Sequence, residues 1–362
     1  MTSTPSISVV MPAFNAEDFI GAAITSILQQ DYPDFELIVV DDGSTDETAL
    51  IGEHFQKRDP RVSLLRQKNA GQAAANNAAI GVAQGEFIAR MDADDVSLSN
   101  RLTTQVRYLS ENPDTVAVGS NMWLCDSAGR RLQKSHVPLT NAGIRRALFR
   151  YGSNPLNNPT VLFRRQAWLD VGGERTGLTL AHDLDLWLRM AGRGDIANLP
   201  DPLLEYRLHA SQASLERARV QAITSVAAFV AAECRTHGLE EPAFVRGNTN
   251  VTERELLAQG VAAARCDEAV MTHAVCAHRR LCWSGSVVAA RQLRESVRAD
   301  FKTSKAASRQ AAALVQMLAQ EAMMAPRLPD RLALLARTFG LMPRALPWLA
   351  SRVAQELRQR LT

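Results

Sequence analysis

The sequence predicts an α/β protein, with a mainly parallel sheet flanked by helices and an all-helical region after it. Three observations predict this. Over the first 120 residues, short apolar, β-branched runs alternate with segments of helical periodicity. That order builds a parallel sheet with helices on both faces. After about Leu215 the strand signal vanishes, and Ala, Leu and Arg dominate. The length, 362 residues, exceeds one ordinary domain of ~100–200 residues. The expected division is residues 1–214 for the sheet domain and residues 215–362 for a helical, basic region.

Ile7–Met11 reads as a buried strand that Pro12 ends. Glu17–Gln30 places Phe19, Ile20, Ala23, Ile24, Ile27 and Leu28 at helical spacing. Tyr32-Pro33-Asp34 turns the chain into a second strand, Phe35–Val40, which Asp41-Asp42-Gly43-Ser44 stops. Thr45 or Asp46 caps a helix running to about Lys57. Val62–Arg66 is a third strand, Gly71–Ala83 a third helix and Phe87–Met91 a fourth strand. Ser99–Glu111 is a helix and Thr115–Ser120 a further strand. From Asp126 to Leu208 the pattern is less regular. There Val161–Phe163 reads as a strand, Gly172-Gly173 as a turn and Asp183–Met190 as a short amphipathic helix. Beyond it, Glu268–Trp283 and Ser286–Lys302 read as a helical hairpin. Leu334–Thr362 mixes apolar residues with Arg337, Arg344, Arg352, Arg358 and Arg360, and is broken by Pro343 and Pro347. Such a segment suits a membrane interface or packing against the rest of the protein.

Apolar residues at 46% and charged residues at 22% exclude a largely disordered chain. No apolar run reaches the ~18 residues that a membrane span needs. Met1–Ser8 has neither the basic nor the apolar region of a signal peptide. Five Cys, an odd count without a C-x-x-C pair, argue against a disulfide framework or a zinc knuckle and fit a reducing cytosol. The net charge of +3 is unevenly placed: residues 1–214 carry 20 basic against 25 acidic side chains, and residues 215–362 carry 21 against 13. The second part therefore either faces an anionic partner, such as a lipid surface, or is a solvated helical exterior. Its Arg residues are scattered and its aromatics sparse, so it lacks a stacking platform for nucleic acid.

Polar clusters fall at the carboxyl ends of the predicted strands, where open α/β sheets bind ligands. Asn15 follows the first strand, Asp41 and Asp42 the second, and Asp92, Asp94 and Asp95 the fourth. Three carboxylates within four residues repel one another unless a cation or donors offset them. Hard oxygen ligands suit Mg²⁺ or Mn²⁺, although Asp is also common in turns and caps. The chain has no G-x-G-x-x-G, no P-loop and no G-x-S-x-G elbow.

Together these segments resemble the nucleotide-sugar-dependent glycosyltransferases of family 2, which have the GT-A fold. The resemblance rests on Ser8-Val9-Val10-Met11-Pro12-Ala13-Phe14-Asn15 with Glu17, and on Ile38-Val39-Val40-Asp41-Asp42-Gly43-Ser44-Thr45-Asp46. It continues through Asn69-Ala70-Gly71, Gly85-Glu86-Phe87-Ile88-Ala89-Arg90-Met91-Asp92-Ala93-Asp94-Asp95 and Arg101-Leu102. Further on come Pro159-Thr160-Val161-Leu162-Phe163, Gly172-Gly173, His182-Asp183-Leu184-Asp185-Leu186-Trp187 and Tyr206-Arg207-Leu208-His209. These matches span roughly residues 6–214 in unbroken order.

The resemblance implies a Rossmann-like sheet and an inverting, metal-dependent sugar transfer from a nucleoside-diphosphate sugar, with UDP as the expected nucleotide. The expected acceptor is a hydroxyl of a glycan or lipid-linked glycan in surface-polysaccharide assembly. Pro12, Ala13, Asn15 and Glu17 would line the nucleotide pocket. Asp42 would bind the base with Asp41 beside it, and Lys68 and Asn69 would lie near the nucleotide. Asp92 would contact ribose or metal, and Asp94 would hold Mg²⁺ or Mn²⁺ on the diphosphate. Asp95 would support the loop. Arg207 and His209 would touch the phosphates, His209 with metal in reach. Asp183 would be the base that takes the acceptor proton, unless it only caps its helix.

The sequence departs from the family in two places. His182 stands where Glu is usual, which removes one negative charge beside Asp183. Asn158 stands where His before Pro is common, and could still contact acceptor or sugar. The Q-x-x-R-W stretch of processive synthases is absent, so a single transfer per encounter is expected. Trp187 and Trp168 are expected to pack in the core rather than stack on sugar, and Trp283 and Trp348 to pack likewise. The expected location is cytoplasmic, with the basic C-terminal part peripheral on the inner membrane's cytoplasmic face. The alternative, resting on His182 alone, is a catalytically silent scaffold in a glycan-assembly complex.

Overall fold

The computed structural model describes residues 5–151, 154–209, 218–247, 251–283, 290, 292–294, 317 and 320. Its elements run β1 Ile7–Ala13, α1 Ile20–Leu28, β2 Phe35–Asp41, α2 Thr48–Arg58, β3 Val62–Arg66, α3 Gln72–Val82 and β4 Phe87–Arg90. Then come β5 Val96–Ser97, α4 Arg101–Glu111, β6 Thr115–Cys125, β7 Arg131–Lys134 and α5 Asn141–Arg146. They continue with β8 Leu162–Arg164, α6 Arg165–Asp170, α7 His182–Met190 and β9 Asp195–Arg207. The helices α8 Ala218–Thr236, α9 Glu253–Ala258 and α10 Ala263–Trp283 follow.

The strands form one sheet in the order β3-β2-β1-β4-β8-β6-β9-β5, with β7 on β6. The β3-β2-β1-β4 half is parallel throughout, as the alternation of elements requires. Beyond β4 the sheet is mixed: β8 runs antiparallel to both β4 and β6, while β9 runs parallel to β6. Strands β5, β7 and β9 are additions to the sequence expectation. The Pro200-Asp201-Pro202 interruption hides β9, whose pairing with β6 accommodates it through register shifts.

The core is built from both faces of β1, β2 and β4. Val9, Met11, Leu37, Val39 and Ala89 pack with Ile20, Ile24 and Ile27 of α1, the helical stripe that the periodicity predicts. Pro12 does not end β1; it stays paired in register with Val40. Pairing of β1 with β4 stops at Val10, so Pro12 sits where one flank of the strand has no ladder. Trp187 is fully buried and meets Phe163 edge-to-face at 5.9 Å, and Trp168 is buried too. Both are core residues.

The chain forms two compact units: Met1–Arg207 with Thr224–Gln259, and Leu208–Ile223 with Gly260–Thr362. The first unit thus extends past the division expected at residue 214. Glu241 fastens the added segment, pairing with Arg175 at 2.6 Å and with Arg235. No helix among the described residues is long and apolar enough to cross a membrane. Trp348, all of the helix expected over Ser286–Lys302 except residues 290 and 292–294, and the basic segment Leu334–Thr362 lie outside the described residues.

Candidate active site

Strand β4 is buried along its whole length, and the chain leaves the sheet just after it. Asp92, Asp94 and Asp95 follow in a turn, and one carboxylate oxygen from each lies within 4.8 Å of the other two. Burial first, then the charge on Asp94, pushes Asp92 up to about 7 despite the nearby Arg90. Burial and the two neighbouring carboxylates push Asp95 up as well. Asp95 Oδ1 accepts the Arg207 backbone N–H at 2.9 Å, but its buried Oδ2 has no hydrogen-bond partner. Asp92 Oδ1 accepts a bond from Gln72 Nε2 at 3.1 Å. Crowded, mutually repelling hard oxygens with one left over fit a divalent cation such as Mg²⁺ or Mn²⁺.

The expected nucleotide residues gather at the carboxyl ends of β1 and β2. Pro12 and Ala13 close β1, and the Asp42 N–H donates to the Ala13 carbonyl at 2.9 Å. Asn15 adopts a positive φ of 48°, a conformation that Asn tolerates better than most residues. Its Oδ1 accepts the Thr45 N–H at 2.9 Å. Glu17 accepts the Glu47 N–H at 2.8 Å and thereby caps the start of α2. Asn15 and Glu17 therefore tie the loop after β1 to the loop after β2.

Asp41 Oδ1 accepts the Ser44 N–H at 3.2 Å. Asp42 is 4% exposed and its carboxylate accepts bonds from Gln67 Nε2 (2.7 Å), Ala70 N (2.9 Å) and Gly71 N (2.8 Å). A carboxylate offers about four acceptor sites, so Asp42 has one left after these three. Lys68 and Asn69 are exposed on the loop that Asp42 holds. Gly43, at φ 76°, lets that loop approach: a Cβ there would stand 2.7 Å from the Asn69 nitrogen.

Asp183 lies in the first turn of α7. Every other residue of this helix is buried, and Asp183 alone is half-exposed. It is not the N-cap, which is Ala181. Its Oδ2 accepts a bond from Asn154 Nδ2 at 2.8 Å and its Oδ1 from the Leu184 N–H at 2.8 Å. Asn158 keeps a buried Oδ1 without a partner, three residues before Val161. Arg207 ends β9 with its guanidinium 5.2 Å from the Phe19 ring centroid. His209 belongs to the second unit.

His182 is 3% exposed, so it faces the interior rather than a ligand. Its Nδ1 lies 2.7 Å from Glu174 Oε2, and Glu174 Oε1 pairs with Arg90. Burial opposes a charged His182, but Glu174 and Asp183 outweigh it and raise the imidazole above its ordinary value. Burial likewise opposes ionised Glu174, yet Arg90 and His182 hold it at about 2. A carboxylate from another loop thus stands against the residue before Asp183.

Sequence reasoning missed Glu174, Gln72 and Asn154. A signal for Glu174 existed. Arg90 sits inside a buried apolar strand, and a buried guanidinium demands a counter-charge. Nothing local said which of the chain's carboxylates would answer it.

Residues 8–171 match the family described as glycosyl transferase family 2. An uncharacterised glycosyltransferase of Haemophilus influenzae is 33% identical over 224 residues, covering 59% of this chain and 69% of its own. The O-antigen biosynthesis glycosyltransferase WbnJ of Escherichia coli is 32% identical over 250 residues, 67% of this chain and 91% of its own. The mannosyltransferase PcManGT of Pyrobaculum calidifontis, solved with GDP-Man and Mn²⁺, is similar in fold. It has a TM-score of 0.50 at 21% identity and covers 88% of each chain. From its matched residues, its relatives and its sheet, the chain belongs to the family 2 glycosyltransferases and has a GT-A fold.

Proposed function

We propose that this enzyme transfers one sugar, with inversion, from a UDP-sugar to a hydroxyl of a glycan or lipid-linked acceptor in surface-polysaccharide assembly. One observation carries the reading: the Asp92, Asp94 and Asp95 oxygens converge within 4.8 Å, with Asp95 Oδ2 unpartnered. Asp92 and Asp94 would hold the divalent cation, which as a Lewis acid offsets charge on the departing diphosphate. Asp42, Asp41, Asn15 and the 67–71 loop would seat the nucleotide. Asp183, held by Asn154, takes the proton from the acceptor hydroxyl as that oxygen attacks the anomeric carbon. The name of WbnJ, an O-antigen biosynthesis glycosyltransferase, supports the acceptor class. The silent-scaffold alternative rested on His182, and Glu174 now stands beside that residue, so no observation favours it.

The deciding experiment is calorimetric titration with UDP, GDP and dTDP, each with and without Mn²⁺, on the wild type and on Asp94→Ala. Mn²⁺-dependent binding of UDP that is lost in the variant is the expected result. Binding of GDP alone would replace the donor class. No nucleotide binding in any condition would sink the transferase reading. The basic C-terminal part is proposed to hold the enzyme at an anionic membrane face, in the cytoplasm. Deleting residues 335–362 should then abolish salt-sensitive co-sedimentation with vesicles containing phosphatidylglycerol. Unchanged sedimentation would refute that placement.

A further inference from the structure

Glu174 is a buried carboxylate beside the site, and its bonds reach three separate elements. Its backbone is fixed by one side chain of α3: Asn77 Nδ2 donates to the Glu174 carbonyl at 2.9 Å, and the Glu174 N–H donates to Asn77 Oδ1 at 2.9 Å. Its Oε1 pairs with Arg90 at the end of β4. Its Oε2 accepts from Asn76 Nδ2 at 3.2 Å and faces His182 Nδ1 at 2.7 Å. The Glu174 side chain is wholly buried, and those of Arg90 and His182 are nearly so. Arg90 stands two residues before Asp92, and His182 one residue before Asp183. The chain therefore runs from the carboxylate cluster to the base through two ion pairs that share one carboxylate. A charge-assisted pair inside a dry core has few alternative geometries, so it fixes position as well as charge.

We propose that Glu174 is a positioning residue for the transfer step: clamped between Arg90 and His182, it sets where Asp183 stands relative to the carboxylates after β4. The inference rests on the transferase reading above. The carboxylate that the resemblance leads one to expect before the proposed base stands instead on a neighbouring loop, and His182 reaches across to it.

The test separates position from stability. Glu174→Gln keeps the shape and the Asn77 bonds but removes the charge. Its kcat should fall about 100-fold, the scale expected when a reacting group is displaced by ~1 Å. Its donor KM and its Mn²⁺-dependent UDP binding should stay as in the wild type. His182→Glu alone crowds two carboxylates against Arg90 and should be equally impaired. Combining E174Q with H182E returns a single carboxylate to face Arg90 from α7, and should recover most of kcat.

A merely structural Glu174 predicts something else: losses in kcat that follow the loss of folded protein in thermal melts, with UDP binding falling in parallel and no recovery in the double variant. That pattern, an E174Q variant with unimpaired kcat, or a double variant that stays inactive, overturns the proposal. A wild type that neither binds UDP or GDP with Mn²⁺ nor transfers sugar overturns the transferase reading, and this proposal with it.

Discussion

At the scale of single residues, one side chain from a neighbouring loop fixes the Asp183 carboxylate. Asn154 holds Asp183 Oδ2 with one hydrogen bond at 2.8 Å. Hydrogen bonds to charged groups contribute roughly 1.5–3 kcal/mol, so Asn154→Ala should lower kcat by about 10- to 100-fold. Steady-state kinetics should show donor KM unchanged, because Asn154 touches Asp183, the proposed base, and none of the residues proposed around the nucleotide. Gly173 sits at φ 77°, and a Cβ there would lie 2.9 Å from the Trp168 ring. Gly173→Ala should therefore destabilise the fold by about 2 kcal/mol or more, read as a lower melting temperature.

The Glu174–His182 pair makes stability depend on pH in a defined window. Glu174 is lowered from 4.5 to about 2, so its contribution is present above 4.5 and lost as pH falls toward 2. His182 is raised above 6.5, so its contribution is full below 6.5 and lost as pH climbs through its folded value. The melting-temperature difference between wild type and E174Q should thus be largest between pH 4.5 and 6.5. It should shrink as pH falls from 4.5 toward 2 and again as pH climbs above 6.5 through the folded His182 value, the alkaline loss being partial because Arg90 stays charged. A difference that is flat across that range would contradict the ion pairs.

At the scale of elements, the loop after β3 depends on one acid from the loop after β2. Asp42 accepts both the Ala70 and the Gly71 backbone N–H groups. Asp42→Ala orphans two backbone donors and releases the exposed Lys68 and Asn69 on the same loop. Hydrogen exchange at Ala70 and Gly71 should speed up in the variant, and UDP affinity should drop with it. Unchanged exchange would mean that the loop is held by something other than Asp42. The helical stripe of α1 and the β-branched runs of β1 and β2 were legible beforehand, because each element's period matches the face it buries. The two-residue β5 and the proline-interrupted β9 were not. Their pairing comes from β6 and from each other rather than from any local pattern.

At the scale of the whole molecule, the first unit closes on Thr224–Gln259 through the Arg175–Glu241 pair, with Arg235 of the same segment holding Glu241 in place. A chain ending at Gln259 should therefore keep Mn²⁺-dependent nucleotide binding, while one ending at residue 223 should lose thermal stability because Arg175 loses its Glu241 partner. Calorimetry and melting curves on the two truncations check both statements. A 259-residue chain without nucleotide binding would contradict the first statement.

The sequence by itself determined the parallel half of the sheet, the helix that carries Asp183 and the carboxylates after β4. Those features are written in local periodicity and in short ordered motifs, which act over a few residues. Only the tertiary structure decided what His182 does. A lone histidine in place of a glutamate reads as a lost charge, yet the charge is present in Glu174, brought to it by the turn at Gly172-Gly173. The cause is electrostatic: a buried Arg90 must be neutralised, and the fold is free to recruit the carboxylate from any segment that reaches it.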